Sequence, residues 1–146
     1  MATLLKGKWH PLSEPAGYDG PAIYAIRLLN NGVVATIPRF LAPDIEGLLT
    51  IGMTSNLDRR RNQFMRGRKK GRGHSASNLL FLLDTERKFA SQFKTPEFEI
   101  LFHAVEDKET AAHREAEMIR KYLFRFGEVP PLSSAVPNRY AHLNRG

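Results

Sequence analysis

Residues 107–127 read DKETAAHREAEMIRKYLFRFG, and the reading of the fold starts from them. Asp107, with Thr110 close behind, is a helix N-cap, and Gly127 is a helix stop. At about 100° per residue, Ala111, Ala112, Ile119, Tyr122 and Phe126 gather on one side, flanked by Met118 and Leu123. His113, Glu117 and Lys121 fall on the opposite, polar side. Glu115 lies in the middle of the apolar arc. A carboxylate there must be paired, protonated or bound to a cation, because an unpaired buried charge is too costly. It is either a structural ion pair at the stripe's margin or a metal-binding or acid/base carboxylate.

Working back toward the N-terminus, Glu97–Val105 reads as a strand opened after Pro96. Before it, Ser75 or Ser77 can cap a helix reaching to about Phe93, and Ser55 or Asn56 can cap another reaching to about Gly67. Gly47–Met53 (GLLTIGM) reads as a strand. Ala22–Leu29 (AIYAIRLL) is a further strand, ended by the turn signal Asn30-Asn31-Gly32. Val33–Ile37 extends a strand or ribbon until Pro38. Residues 1–20, with Pro11, Pro15, Gly17 and Gly20, read as an irregular arm pinned by Trp9, and Pro130, Pro131 and Pro137 make the tail irregular. The order β-β-α-α-β-α predicts an α+β fold, a small three-stranded, mainly antiparallel sheet flanked by helices.

Charge adds a second signal. The 146 residues carry 22 Lys+Arg and 15 Asp+Glu, a net +7. Eight of the basic residues (Arg59, Arg60, Arg61, Arg66, Arg68, Lys69, Lys70 and Arg72) lie within residues 59–72, and no acidic residue falls between Asp58 and Asp84. The rest of the chain, with 14 basic and 15 acidic residues, is almost neutral. One local polyanion-binding surface is therefore expected on a globular domain. Absence of cysteine excludes disulfides and thiolate metal sites. The longest aliphatic or aromatic run, Leu79–Leu83, is too short to span a bilayer, and the N-terminus does not read as a secretory signal, so a cytoplasmic protein with no membrane partner is expected.

Within the helix after Gly47–Met53, Leu57, Arg61 and Phe64 share a face, with Arg60 at its margin and Arg59 pointing away. Arg60 either snorkels there or is held rigidly. By period two, Tyr24 shares a strand face with Ala22, Ile26 and Leu28.

Together these pieces resemble the GIY-YIG nuclease superfamily. Its Gly-Ile-Tyr motif stands here as Ala22-Ile23-Tyr24, and its Tyr-Ile-Gly motif as Thr50-Ile51-Gly52. Thr54, Ser55-Asn56-Leu57 and Arg60 continue the pattern. Glu115, with Ile119 and Tyr122, matches the spacing around the family's helical Glu, and Phe126-Gly127 and Pro130-Pro131-Leu132 resemble its tail. The resemblance spans residues 21–133, with an insertion at 31–46, a basic loop at 66–74, and residues 134–146 as a tail. It departs from the family at Thr50, where the second tyrosine belongs, at Met53 and Phe64, and at Ser133, which replaces a frequent Asn.

The resemblance implies a DNA endonuclease hydrolysing phosphodiesters with one divalent cation, Mg²⁺ or Mn²⁺, held by Glu115. Arg60 would grip the phosphate. Tyr24 would be the general base or orient the attacking water; its ordinary pKa of about 10 demands nearby positive charge, from Arg60, the metal or His74. Thr50 would donate a hydrogen bond to water or phosphate, Gly52 would let substrate approach, and Ser133 would complete the motif. Arg61, Arg66, Arg68, Lys69, Lys70, Arg72 and His74 would bind DNA, giving affinity rather than base reading. DNA repair, restriction and mobile-element cutting all fit. The departures fit a second reading, a degenerate module that binds DNA or RNA without cutting. A basic RNA-associated or ribosome-associated protein would explain the loop but not Glu115.

Overall fold

The computed structural model describes residues 3–70 and 86–133. Among these residues it is an α+β fold: an antiparallel sheet of five strands, β1 (His10–Pro11), β2 (Ala22–Asn30), β3 (Val33–Val34), β4 (Leu48–Thr54) and β5 (Pro96–Ala104), with three helices, α1 (Leu57–Lys70), α2 (Arg87–Gln92) and α3 (Lys108–Phe126). β2 is central. β5 runs beside its whole length, while β4 and then β3 pair along its other side. The register sets Tyr24 opposite Gly52 on one side and Phe102 on the other.

Both sheet faces are covered, so β2 is buried almost throughout, with no polar alternation. Ala22, Tyr24, Ile26 and Leu28 join Leu57 and Phe64 of α1 in one core. Ile23 and Ala25, with Ile51 of β4, join Met118, Ile119, Tyr122 and Phe126 of α3 in a second. Met53 of β4 packs on Ala112 and Ala116 of α3. The two helices thus lie on opposite faces of the sheet.

Local chemistry fixes the ends of these elements. Asn31 and Gly32 both have positive φ and form the two-residue turn between β2 and β3, the geometry that matches strand twist. The Asp107 carboxylate accepts from the Thr110 amide at 2.7 Å, a bond that holds its carboxyl below the usual range, and Gly127 closes α3 in the left-handed region.

Three expectations are corrected. The sheet has five strands, not three: β1 is a two-residue pairing too short to show a periodic signal, and β3 falls within the strand or ribbon expected over Val33–Ile37 but is confined to Val33–Val34. The arm is consequently not wholly irregular. Gly67 does not stop α1: it is buried, and the helix continues through Arg68, Lys69 and Lys70, all acceptable helix formers. Residues 66–70 are therefore helix, and not loop. The helix expected to start at Ser75 or Ser77 falls on residues outside those described; the described helix in that region is α2, capped by Glu86. Among the described residues no helix is long and apolar enough to cross a membrane.

The N-terminal segment is tied to the domain at both ends. Asp58 accepts from the Ala16 and Tyr18 amides at 2.9 and 3.1 Å. Trp9 stacks on the Arg27 guanidinium, 4.4 Å away, which is itself paired with Glu99 across β2 and β5. The His103 Nε2–H donates to the Lys6 carbonyl at 2.5 Å, which leaves Nδ1 to accept from Arg114 Nη2 at 3.4 Å.

Candidate active site

The site is organised by the missing side chain of Gly52. A Cβ there would lie 2.5 Å from both Cζ and the hydroxyl oxygen of Tyr24. The phenol ring thus crosses directly over the Gly52 backbone, toward the side of the sheet where β4 has no further strand partner. Any side chain larger than hydrogen at position 52 would force the ring to shift.

Arg60 approaches this phenol from α1. Its Nε donates to the Tyr24 hydroxyl oxygen at 3.3 Å, and its Nη1 donates to Gln63 Oε1 at 3.1 Å. Glu115 comes from α3, half-buried among Ala111, Ala112 and Ala116, and lies close enough for its charge to act on the same phenol. Residues far apart in sequence, from β2, α1 and α3, are brought together.

Burial pushes the Tyr24 phenol above its ordinary value of 10.0; the charge and hydrogen bond of Arg60 pull it down, and Glu115 pushes it further up. Burial wins over Arg60, so Tyr24 is a neutral phenol at neutral pH.

Thr50 is two residues before Gly52 on the same face of β4. Its hydroxyl shares a 3.3 Å hydrogen bond with Ser133 Oγ. The chain reaches that position because the Leu132 amide donates to the Leu49 carbonyl at 2.8 Å, clamping the segment after α3 along β4. Thr50 and Ser133 thus form one hydroxyl pair. Met53 and Phe64, the other departures, are packing residues: Met53 lies beneath α3, and Phe64 is buried beside Phe98.

Comparison with protein-family models, curated proteins and solved structures finds no match to this chain. Its site is read from its own geometry.

The basic residues separate into different roles. Arg59 and Arg66 are exposed and lie seven residues apart, on one side of α1. Arg61 is half-buried: its Nη1 donates to the Leu12 carbonyl at 2.8 Å, which ties down the arm, and its Nη2 donates to Asn62 Oδ1 at 2.8 Å. Arg68, Lys69 and Lys70 continue the helix. Arg72 and His74 lie outside the described residues.

Among the described residues no group of three or more His, Cys, Asp or Glu is placed to hold a metal. One half-buried carboxylate, Glu115, fits a hard ion such as Mg²⁺ that keeps most of its waters and takes few protein ligands.

The sequence reading missed three features. Gln63, on the Arg60 guanidinium, was signalled only by its three-residue helical spacing. Asp58, which ties down the arm, carried no periodic signal. Asp44 is fully buried, accepts from Tyr122 Oη at 2.8 Å and from the Leu48 amide at 3.1 Å, and anchors the insertion against α3. Tyr122 is thus more than an apolar residue of the stripe.

Proposed function

We propose that the chain is a GIY-YIG-like, metal-dependent endonuclease that hydrolyses phosphodiester bonds in DNA. The reading is carried by one observation: Tyr24, folded over Gly52, accepts a hydrogen bond from Arg60 and feels the charge of Glu115. A phenol hydrogen-bonded to a guanidinium, with a carboxylate within electrostatic reach, would supply a water-orienting or basic group, a phosphate clamp and a ligand for a hard cation.

Arg60 binds the non-bridging oxygens of the scissile phosphate with its planar fork of donors. Tyr24 orients the attacking water through its hydroxyl or takes its proton as the general base, the latter where Arg60 and a bound cation offset the cost of burial. Thr50 and Ser133 offer a hydroxyl pair on the same sheet face, to fix a water or a phosphate oxygen. Glu115 would hold the Mg²⁺ or Mn²⁺ ion, which when bound supplies Lewis-acid stabilisation of the phosphoryl oxygens. Arg59 and Arg66, with the cations that follow on α1, neutralise flanking phosphates and set the strand's path without reading bases. A cytoplasmic setting, in repair or restriction, goes with this reading.

The runner-up is a binding module without cleavage. It is favoured by Thr50, whose hydroxyl is engaged by Ser133 where the resemblance calls for a phenol. One assay decides between them. The protein is incubated with plasmid, branched DNA and RNA in Mg²⁺, Mn²⁺ or EDTA, beside Tyr24→Phe, Arg60→Ala and Glu115→Ala. Metal-dependent nicking by the wild type, lost in Glu115→Ala with DNA binding retained, supports the nuclease. Undiminished nicking by Glu115→Ala sinks it, and tight binding with no nicking in any metal supports the runner-up.

A further inference from the structure

Arg60 is held at two places. Its Nε donates to the Tyr24 hydroxyl at 3.3 Å and its Nη1 to Gln63 Oε1 at 3.1 Å. The guanidinium is planar, so fixing two of its three nitrogens fixes the plane of the whole fork. Nη2 and the second N–H of Nη1 are then left as the edge that can meet an anion. Arginine and glutamine at i and i+3 are neighbours on a helix surface, so the contact costs the backbone nothing. Because a guanidinium has donors only, the amide must present its oxygen to Arg60 and turn its NH2 group away.

We infer that Gln63 is a positioning residue that sets the plane of the Arg60 fork for an incoming phosphodiester. The inference deepens the nuclease reading and rests on Arg60 meeting a phosphate. The choice of an amide has a physical reason. A carboxylate at position 63 would grip Arg60 more strongly, but it would cancel the charge that must attract the phosphate. An aliphatic side chain would fill the space and hold nothing. A neutral acceptor restrains the fork and leaves its charge available.

The contrast gives a crossed test with the full-length chain and two variants, Gln63→Leu and Gln63→Glu. Three quantities are read: rotation of the Arg60 guanidinium from its side-chain ¹⁵N–¹H signals, binding of a short DNA duplex in EDTA, and single-turnover plasmid nicking in Mg²⁺. Gln63→Leu frees the rotation, keeps duplex affinity within about twofold and slows nicking about tenfold, the equivalent of one positioning hydrogen bond. Gln63→Glu keeps the rotation restrained and weakens duplex binding about tenfold through like-charge repulsion. Gln63 is half-buried at the helix surface, so neither variant should move the thermal midpoint by more than about 2 °C.

Unchanged rotation in Gln63→Leu overturns the inference, and so does wild-type nicking once the rotation is free. If the wild type nicks no substrate in any metal, the nuclease reading falls, and the Arg60 side-chain signals alone decide the role of Gln63.

Discussion

Replacing Gly52 with alanine adds a single methyl group, and the structure makes its consequence unusually large. The new Cβ would stand 2.5 Å from Cζ and the hydroxyl oxygen of Tyr24 and 3.0 Å from Cε1. Carbon atoms rest about 3.5–4.0 Å apart, so the ring must withdraw by about 1 Å. It has little room: Tyr24 is 2 % exposed and belongs to the core that includes Leu57, Phe64 and Ile100. Overpacking of this kind costs about 1–3 kcal/mol. For a domain of this size the melting midpoint should fall by about 3–10 °C. Without the clash, alanine in a strand would be favoured over glycine by about 0.5–1 kcal/mol, so even the sign is informative. The Arg60 bond to the phenol, 3.3 Å long, would be displaced with the ring. Misplacement of about 1 Å at a reacting group can cost 10²-fold, so single-turnover nicking should fall at least about 100-fold. Calorimetry and plasmid nicking on the same preparation check both halves. An unchanged midpoint would refute the placement of the ring over Gly52. A lowered midpoint with wild-type nicking would refute the phenol's part in the chemistry.

Further expectations concern the supports of the site. Tyr122→Phe removes the 2.8 Å hydrogen bond to fully buried Asp44 and should cost about 1.5–3 kcal/mol in urea unfolding; wild-type stability would mean that the pair is not made. Burial, then the hydrogen bond and charge of Asp44, push the Tyr122 phenol above 10.0. The folded state therefore keeps a proton that the unfolded chain releases. Stability from this group is complete below about pH 10 and declines as pH rises beyond it. Urea midpoints between pH 9 and 11 should show that decline, with a shallower slope in Tyr122→Phe. Asp58→Ala deletes the acceptor for the Ala16 and Tyr18 amides and should cost about 1–3 kcal/mol; limited proteolysis should then cut first among residues 12–19, and a protected arm would count against the clamp.

Much of the framework could be read directly. Asp107 and Gly127 bound α3 as expected, because a cap needs only local chemistry. The phase of α3 singled out Glu115, since burial of one helical stripe leaves its mark on sequence. The long strands are legible for the same reason: β2 and β5 are apolar enough to declare themselves. What sequence could not show is contact across the sheet. Nothing local says that Tyr24 and Gly52 would share a register position, or that the tyrosine ring would lie over this glycine. Helical phase separates Arg61 from Arg60 but does not name their partners: on α1 one reaches the Leu12 carbonyl and the other the phenol. Gly67 misled because a buried glycine inside a helix and a helix-ending glycine are the same letter.

The separation of the site's three carriers also has a meaning for biosynthesis. Tyr24, Arg60 and Glu115 belong to β2, α1 and α3, and α3 follows every strand of the sheet in chain order. During translation the cationic helix emerges long before the acidic one. A nascent chain that ends before Asp107 already carries the basic segment and the tyrosine, but not the carboxylate that completes the constellation. Synthesis is ordered by position along the chain, so the three groups can come together only when α3 has been made and has docked.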